Sequence, residues 1–412
     1  MTTDVPTTAR TLDPDAPAAP ADHAAFATFA LILGGFAIGT TEFVTMGLLP
    51  EIADGVQVTI PEAGHAISAY AIGVVIGAPL IAAFGARLPR RGLLVTLMAL
   101  FAVGNAATAL TSTYGGLIVA RLLTGLPHGA FFGIASLVAV DMVRRGQGGR
   151  AVSRVMLGIP FANVVGVPAA TWLGQNLGWR TTFAIVAVIG VVTAALVFAS
   201  VPRTRGDLEA TVMRELRAFH NVQVWLTLLV GAVGFGGMFA MYSYIAPLLR
   251  NVTGVGESAV PLFLLVYGVG AVIGTVMSGR LLEWSLIKTL VISLLGTGAL
   301  LAVLTVTAHS PIPAALTIFA IALTVSWLVV ALQVRLMIVA GEARGLGAAS
   351  NHASLNIANA LGAWLGGVVI AQGHGWIAPI WVGVGLSIGG ALILALSLWL
   401  RRREQRSLTS GD

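Results

Sequence analysis

Long apolar runs separated by short polar breaks fill most of this 412-residue chain. A helix rises about 1.5 Å per residue and a bilayer core is about 30 Å thick, so a run of roughly 20 mostly apolar residues can cross it. Such runs lie near residues 26–49, 63–84, 93–112, 115–142, 151–173, 181–201, 222–247, 259–281, 289–307, 313–339, 349–371 and 379–400. The pattern predicts an all-α integral membrane protein with twelve transmembrane helices. The longest polar break, 202–221, splits the runs into two sets of six. The expected organisation is a disordered cytoplasmic tail at 1–25, a six-helix bundle at 26–201, a cytoplasmic linker at 202–221, a second bundle at 222–400 and a basic tail at 401–412.

The two sets of six carry an internal repeat. YAIGVVIG at 70–77 and YGVGAVIG at 267–274 match in Tyr70/Tyr267, Gly73/Gly270, Val75/Val272, Ile76/Ile273 and Gly77/Gly274, all at an offset of 197. Pro50 and Pro247 match at the same offset, while Asn163/Asn359 and Gly166/Gly362 match at 196. Several matches in register, in corresponding helices, imply two pseudo-symmetric bundles in parallel orientation around a central site.

Composition narrows the function classes. Residues are 57% hydrophobic and 10% charged, against about 25% charged in soluble domains, which excludes an ordinary soluble enzyme. The 50 glycines suit helices that approach closely in lipid. With no cysteine there is no disulfide frame, thiol nucleophile or cysteine metal site. Residues 1–25 lack the basic start and cleavage site of a signal peptide, so the first run is expected to stay as a membrane helix. The net charge of +6 is explained by topology rather than by nucleic acid. With the N-terminus inside, 20 of the 23 basic residues fall in cytoplasmic segments, including Arg335; Arg180 and Arg250 fall outside, and Arg121 within the membrane. Both termini are therefore expected in the cytoplasm of a multi-pass plasma (inner) membrane protein.

Two ionisable residues interrupt the apolar runs. Glu42 lies in FATFALILGGFAIGTTEFVTMGLLP and Arg121 in VARLLTGLPHGAFFG. Charged groups inside a membrane are costly and mark ion or substrate pathways. Glu42 precedes Pro50 by eight residues, about 12 Å along the helix, and Arg121 is about 9 Å from the start of its own run. The two sit at similar depth and can meet directly or through water if their helices are neighbours. Burial and a nearby guanidinium act on such a carboxylate in opposite senses, a balance suited to taking up and releasing a proton. A static ion pair that fixes helix packing is the alternative. His128 lies seven residues beyond Arg121 on nearly the same helix face, where it serves either as a proton relay or as a hydrogen-bonded structural group.

Other polar positions are candidates for a pathway. His352, Asn356 and Asn359 form a stripe at helical spacing that must face protein or a cavity. Thr41, Met46, Tyr242, Tyr244, Trp327, Gln333, Asn356 and Asn359 are the candidate substrate contacts. In the fifth run, Asn163, Gly166 and Pro168 mark a seam that flexes or packs tightly. In FGARLPRRG the basic Arg87, Arg90 and Arg91 anchor the cytoplasmic side, and Asp141 is placed to pair with Arg87 and lock one conformation. Neither a phosphate-binding GxxxxGK[ST] loop nor an HExxH motif is present, so no cofactor, metal or ATP drive is expected.

These motifs together resemble the major facilitator superfamily, in particular its twelve-helix drug:proton antiporter branch, over about residues 26–400. GTTEFVTMGLLPEIA at 39–53 resembles that branch's first-helix signature. RLLTGLPHGAFFG at 121–133 resembles its fourth-helix motif, and GVPAATWLGQNLGWRTTF at 166–183 its fifth-helix antiporter motif. IPEAGHAISAYAIGVVIGAPLIA at 60–82 is similar to the arabinose efflux permease and chloramphenicol exporter group. The resemblance implies a secondary transporter that exports a small organic molecule against protons by alternating access, with a cavity lined by helices 1, 4, 7 and 10 and Arg121 in proton coupling. The helix 2–3 loop departs from the family pattern: Ala82, Ala86 and Pro89 replace its glycine, aspartate and second glycine, so the usual aspartate latch is not expected. A proton-coupled or facilitated importer and a non-transporting sensor fit the same scaffold. The expected partners are the substrate, protons and the lipid bilayer, and one chain already supplies twelve helices, so a monomer suffices.

Overall fold

The computed structural model describes residues 21–144, 146–203, 211–256 and 259–410. Most of the expected N-terminal tail, the middle of the linker, Arg145 and the last two residues lie outside the described residues, as does the side chain of Arg406. The membrane helices of the first half are α1 (Ala21–Gly47), α2 (Ile60–Gly85), α3 (Arg90–Leu110), α4 (Tyr114–Asp141), α5 (Gly148–Leu177) and α6 (Trp179–Ser200). Those of the second half are α7 (Val222–Tyr242), α8 and α9, α10 (Pro311–Val339), α11 (Arg344–Ala371) and α12 (Ala378–Ser410). Here α8 (260–284) and α9 (286–307) are limbs of one continuous element, Val260–Thr307, broken where Ser285 turns extended (φ −171°, ψ 115°). Two boundaries correct the sequence reading. The alanine-rich stretch from Ala21 is already helical rather than tail, and α12 runs on through Arg401–Arg403 to Ser410.

Local chemistry sets several ends. Thr59 and Glu62 form a reciprocal capping box at the start of α2. Thr113 caps α4 by accepting from the Gly116 amide. Gly178, at φ 87°, makes the turn between α5 and α6 that a side chain would strain.

Packing repeats between the halves: α2 on α4 matches α8 on α10, and α1 on α6 matches α7 on α12. The repeated glycines explain why. A Cβ on Gly73 or Gly77 would lie 2.2 or 2.3 Å from the carbonyl oxygens of Leu122 and Leu126. A Cβ on Gly270 or Gly274 would lie 2.6 or 2.4 Å from those of Phe319 and Leu323. Each contact in the second half sits 197 residues after its mate in the first. Only glycine permits this backbone approach, which substitutes for the hydrophobic drive that lipid removes.

Because the helices alternate in direction, α1 begins and α12 ends on one face. That face also carries Arg87, Arg90, Arg91, Arg144, Arg150, Arg154, Lys288 and Arg344, and is called the basic face below. Arg335 is a correction: it is 1% exposed, donating from Nε to Thr227 Oγ1 (3.1 Å) and from Nη2 to Ser397 Oγ (2.7 Å), because α7 and α12 close over it. The halves meet mainly where α2 and α4 touch α11 and where α5 touches α8. Gln333 Nε2 donates to Ser136 Oγ at 3.2 Å, and these two residues are 197 apart in sequence. Equivalent residues of the repeat thus touch each other on the pseudo-two-fold axis.

Candidate functional site

A cavity with about 870 Å³ of empty space, counting its open mouth, lies between the halves. Its wall is mainly apolar and aromatic, with Phe43 from α1, Phe235, Phe239 and Tyr242 from α7, and Tyr267 from α8. Its polar groups are few: Glu42, His128, Asn163, Thr275, Ser326, His352, Asn356 and Asn359, besides the two tyrosine hydroxyls. The contacts between halves gather on its basic-face side. Gly129 and Gly133 of α4 press on the backbone of Ala349 and Gly345 of α11, where a Cβ would come within 2.9 Å. Arg150 Nη2 pairs with Glu283 Oε2 at 2.6 Å across α5 and α8.

Glu42 stands in the cavity wall, and Arg121 is fully buried behind it. The link between them is Thr41, the residue before Glu42, which Arg121 holds. Arg121 donates from Nη1 to Thr41 Oγ1 and from Nη2 to the Thr41 carbonyl, both at 3.2 Å. Thr41 Oγ1 in turn donates to Asn105 Oδ1 at 2.5 Å. The guanidinium lies 4.5 Å from the Tyr70 ring centroid and 5.6 Å from that of Phe183. Glu42 has no hydrogen bond or ion pair among the described residues, so the direct contact allowed by the depth argument is not made. The carboxylate faces the cavity while the cation, held by neutral groups and ring faces one residue away, acts on it through space.

The structure sorts the other sequence candidates. His128, Tyr242, Asn163, Asn356 and Asn359 line the cavity. Five expected substrate contacts do not. Thr41 is 0% exposed because it holds Arg121. Met46 lies one turn beyond Glu42 on α1 and is 42% exposed, outside the cavity lining. Tyr244 lies past the end of α7 and donates to the Ala363 carbonyl at 2.7 Å, packing on Gly366. Trp327 projects from α10 on a face turned away from the wall that Ser326 lines. Gln333 is taken up by Ser136 on the pseudo-axis. Asp141 pairs with Arg90 where Arg87 was the expected partner, and Arg91 lies 4.2 Å from the Phe198 ring centroid. In α5 the backbone widens into a π-helical turn at Ala162–Gly166, just before Pro168, which turns Asn163 into the cavity. Gly166 fits there because a Cβ would sit 2.3 Å from Thr40 Oγ1.

The arrangement is that of a carrier: two related bundles, a cavity between them, contact on one side of it. Residues 31–337 match the family model of the Major Facilitator Superfamily. This chain belongs to the major facilitator superfamily. The facilitator is 39% identical over 377 residues to the inner membrane transport protein YdhP of Escherichia coli (strain K12), covering 91% of this chain and 96% of YdhP. It is 31% identical over 367 residues to a chloramphenicol resistance protein of Streptomyces lividans, covering 87% of this chain and 92% of that protein. Its fold superposes on the proton:xylose symporter XylE bound to 6-bromo-6-deoxy-D-glucose with a TM-score of 0.74 at 17% identity, over 90% of this chain and 95% of that one. It is a multi-pass membrane transporter of small molecules, not an enzyme.

Several cavity residues of the facilitator escaped the sequence reading. Phe43, Phe239 and Tyr267 looked like ordinary apolar or repeat positions. The repeat register held a signal, since Phe239 lies 197 residues after Glu42, the position that faces the cavity from the first half. His352 was visible as part of a polar stripe, but its partner on another helix was not.

Proposed function

We propose that this facilitator exports a small organic molecule across the inner membrane in exchange for protons. Glu42 is the group that exchanges the proton, and Arg121 is the fixed cation that tunes it. The observation that carries the reading is the placement of Glu42: the one carboxylate of the cavity lining, without a hydrogen bond or ion pair among the described residues, beside a fully buried guanidinium. A proton and a substrate that use the same cavity compete for it, which is the physical basis of exchange. With the basic face in the cytoplasm, as the positive-inside rule favours, the contacts between halves close the cytoplasmic side and the conformation faces outward. Tyr242, Asn163, Asn356 and Asn359 contact the substrate, and Arg90, Arg91 and Asp141 steady the basic face as the halves rock. The homology to a chloramphenicol resistance protein supports the export direction.

The test is Glu42→Gln in proteoliposomes with an imposed pH gradient, using substrates found by resistance and efflux screening of an expressing strain. The variant is expected to insert and bind substrate yet to lose uphill efflux and substrate-driven proton movement. Uphill efflux at the wild-type rate would remove Glu42 from the mechanism, and uptake driven by the same gradient would reverse the direction.

A further inference from the structure

The floor of the cavity includes His128 and His352, which continue a chain of three side chains from three helices that starts at the buried Tyr70. Tyr70 Oη of α2 lies 3.0 Å from His128 Nδ1 of α4, and His128 Nε2 lies 3.1 Å from His352 Nδ1 of α11. His352 Nε2 is buried without a partner. Phe132 stacks on the His352 ring at 4.3 Å with the planes 14° apart. Tyr70, His128 and Phe132 belong to the first half and His352 to the second. The second hydrogen bond and the ring stack therefore cross between halves that must part for the basic face to open.

A neutral imidazole has one N–H and one acceptor nitrogen, so two facing nitrogens share one proton. The chain can be polarised either way. In one sense Tyr70 donates to His128 Nδ1, His128 Nε2–H donates to His352 Nδ1, and the buried His352 Nε2 carries the N–H. In the other, each bond reverses and His352 Nε2 is left as an acceptor. One added proton fits, because an imidazolium on either ring still donates to its neutral neighbour. Two do not: N–H would then face N–H at 3.1 Å between two cations. The other titratable groups that face this floor are Glu42 of α1, Tyr242 of α7 and Tyr267 of α8, with Arg121 of α4 behind the Tyr70 ring; α5 and α10 line the cavity without one.

We propose that Tyr70, His128 and His352 form a proton-handling latch, separate from Glu42, that ties α4 to α11 while the two imidazoles share a proton and releases the basic face when both are protonated. His352 is thereby a second proton-handling residue of the transport cycle.

The chain has no cysteine, so introduced cysteines can be spin-labelled without background. Pairs at Leu88 and Lys288 report the basic face, and pairs at Ser112 and Ser310 the opposite face; all four positions are exposed. Distance distributions are compared at pH 8 and pH 5 in the Glu42→Gln background, without substrate, so the cavity carboxylate contributes nothing and failure of the export reading does not affect the outcome. Acidification is expected to raise the open-to-closed ratio at the basic face by about fivefold, the effect of losing one hydrogen bond. Adding His352→Gln keeps a hydrogen bond to His128 but cannot hold the proton; the basic face stays closed and the acid response disappears. Adding His352→Phe keeps the stack and loses the bond, raising the open fraction at both pH values. An absent acid response, or one that survives His352→Gln, overturns the proposal.

Discussion

Gly125→Ala is the substitution whose consequence the geometry sets most directly. A Cβ at residue 125 would lie 2.2 Å from the Tyr70 carbonyl oxygen and 3.1 Å from the Val74 amide nitrogen, both backbone atoms of α2. No rotamer change relieves that, so α2 and α4 must part by about 0.8–1.2 Å to restore normal contact. Overpacking of this kind costs about 1–3 kcal/mol, and the better helix propensity of alanine returns up to about 1 kcal/mol. The net loss of stability is therefore about 0–2 kcal/mol, and the larger effect falls on the site. Tyr70 Oη stands 3.0 Å from His128 Nδ1, and a parting of about 1 Å takes that pair beyond hydrogen-bond range. The position 197 residues later is Ala322, so the fold tolerates a methyl at this level of α8 and α10; the closer approach is particular to the half that holds Glu42, Arg121 and His128. Thermal melting in detergent and the pH profile of transport are the assays, with Gly385→Ala as control because a Cβ there meets nothing within 4 Å. The variant should melt below the control and show an altered pH profile. A melting temperature equal to the control together with an unchanged profile would refute the packing argument.

Two further substitutions probe neighbouring contacts. Thr41→Val removes the hydroxyl that links Arg121 to Asn105; about 1–3 kcal/mol of stability should be lost for the buried groups left unpaired, with weakened proton coupling, whereas Thr41→Ser should retain both, and equal melting and equal coupling of the two variants would count against the linkage. Arg150→Glu should lower the closed fraction of the basic face by no more than about fivefold, since Arg150 is 47% exposed in its pair with Glu283, and the charge-swapped Arg150→Glu/Glu283→Arg protein should recover it in the same spin-label distances.

Span number, the twofold repeat and the out-of-place acid were legible from the residues alone, and for one reason. Apolar run length, glycine spacing and the presence of Glu42 are local quantities, and a bilayer leaves a run of that length no alternative to a helix. The glycines at 73, 77, 270 and 274 marked the repeat, and the structure shows them to be the points where α2 meets α4 and α8 meets α10. The roles of single polar residues were not local. Thr41, Gln333 and Tyr244 looked like cavity groups and are spent on Arg121, Ser136 and Ala363, since a polar side chain in lipid is satisfied by whichever neighbour the fold brings to it. The register of the repeat sets Glu42, Arg121 and His128 against Phe239, Ile318 and Val325, so these three ionisable groups have apolar residues at the matching positions of the second half. The meeting of His128 with a histidine 224 residues away came from helix rotation and the closure of two bundles. Periodicity along one helix says which residues share a face; it does not say what that face meets.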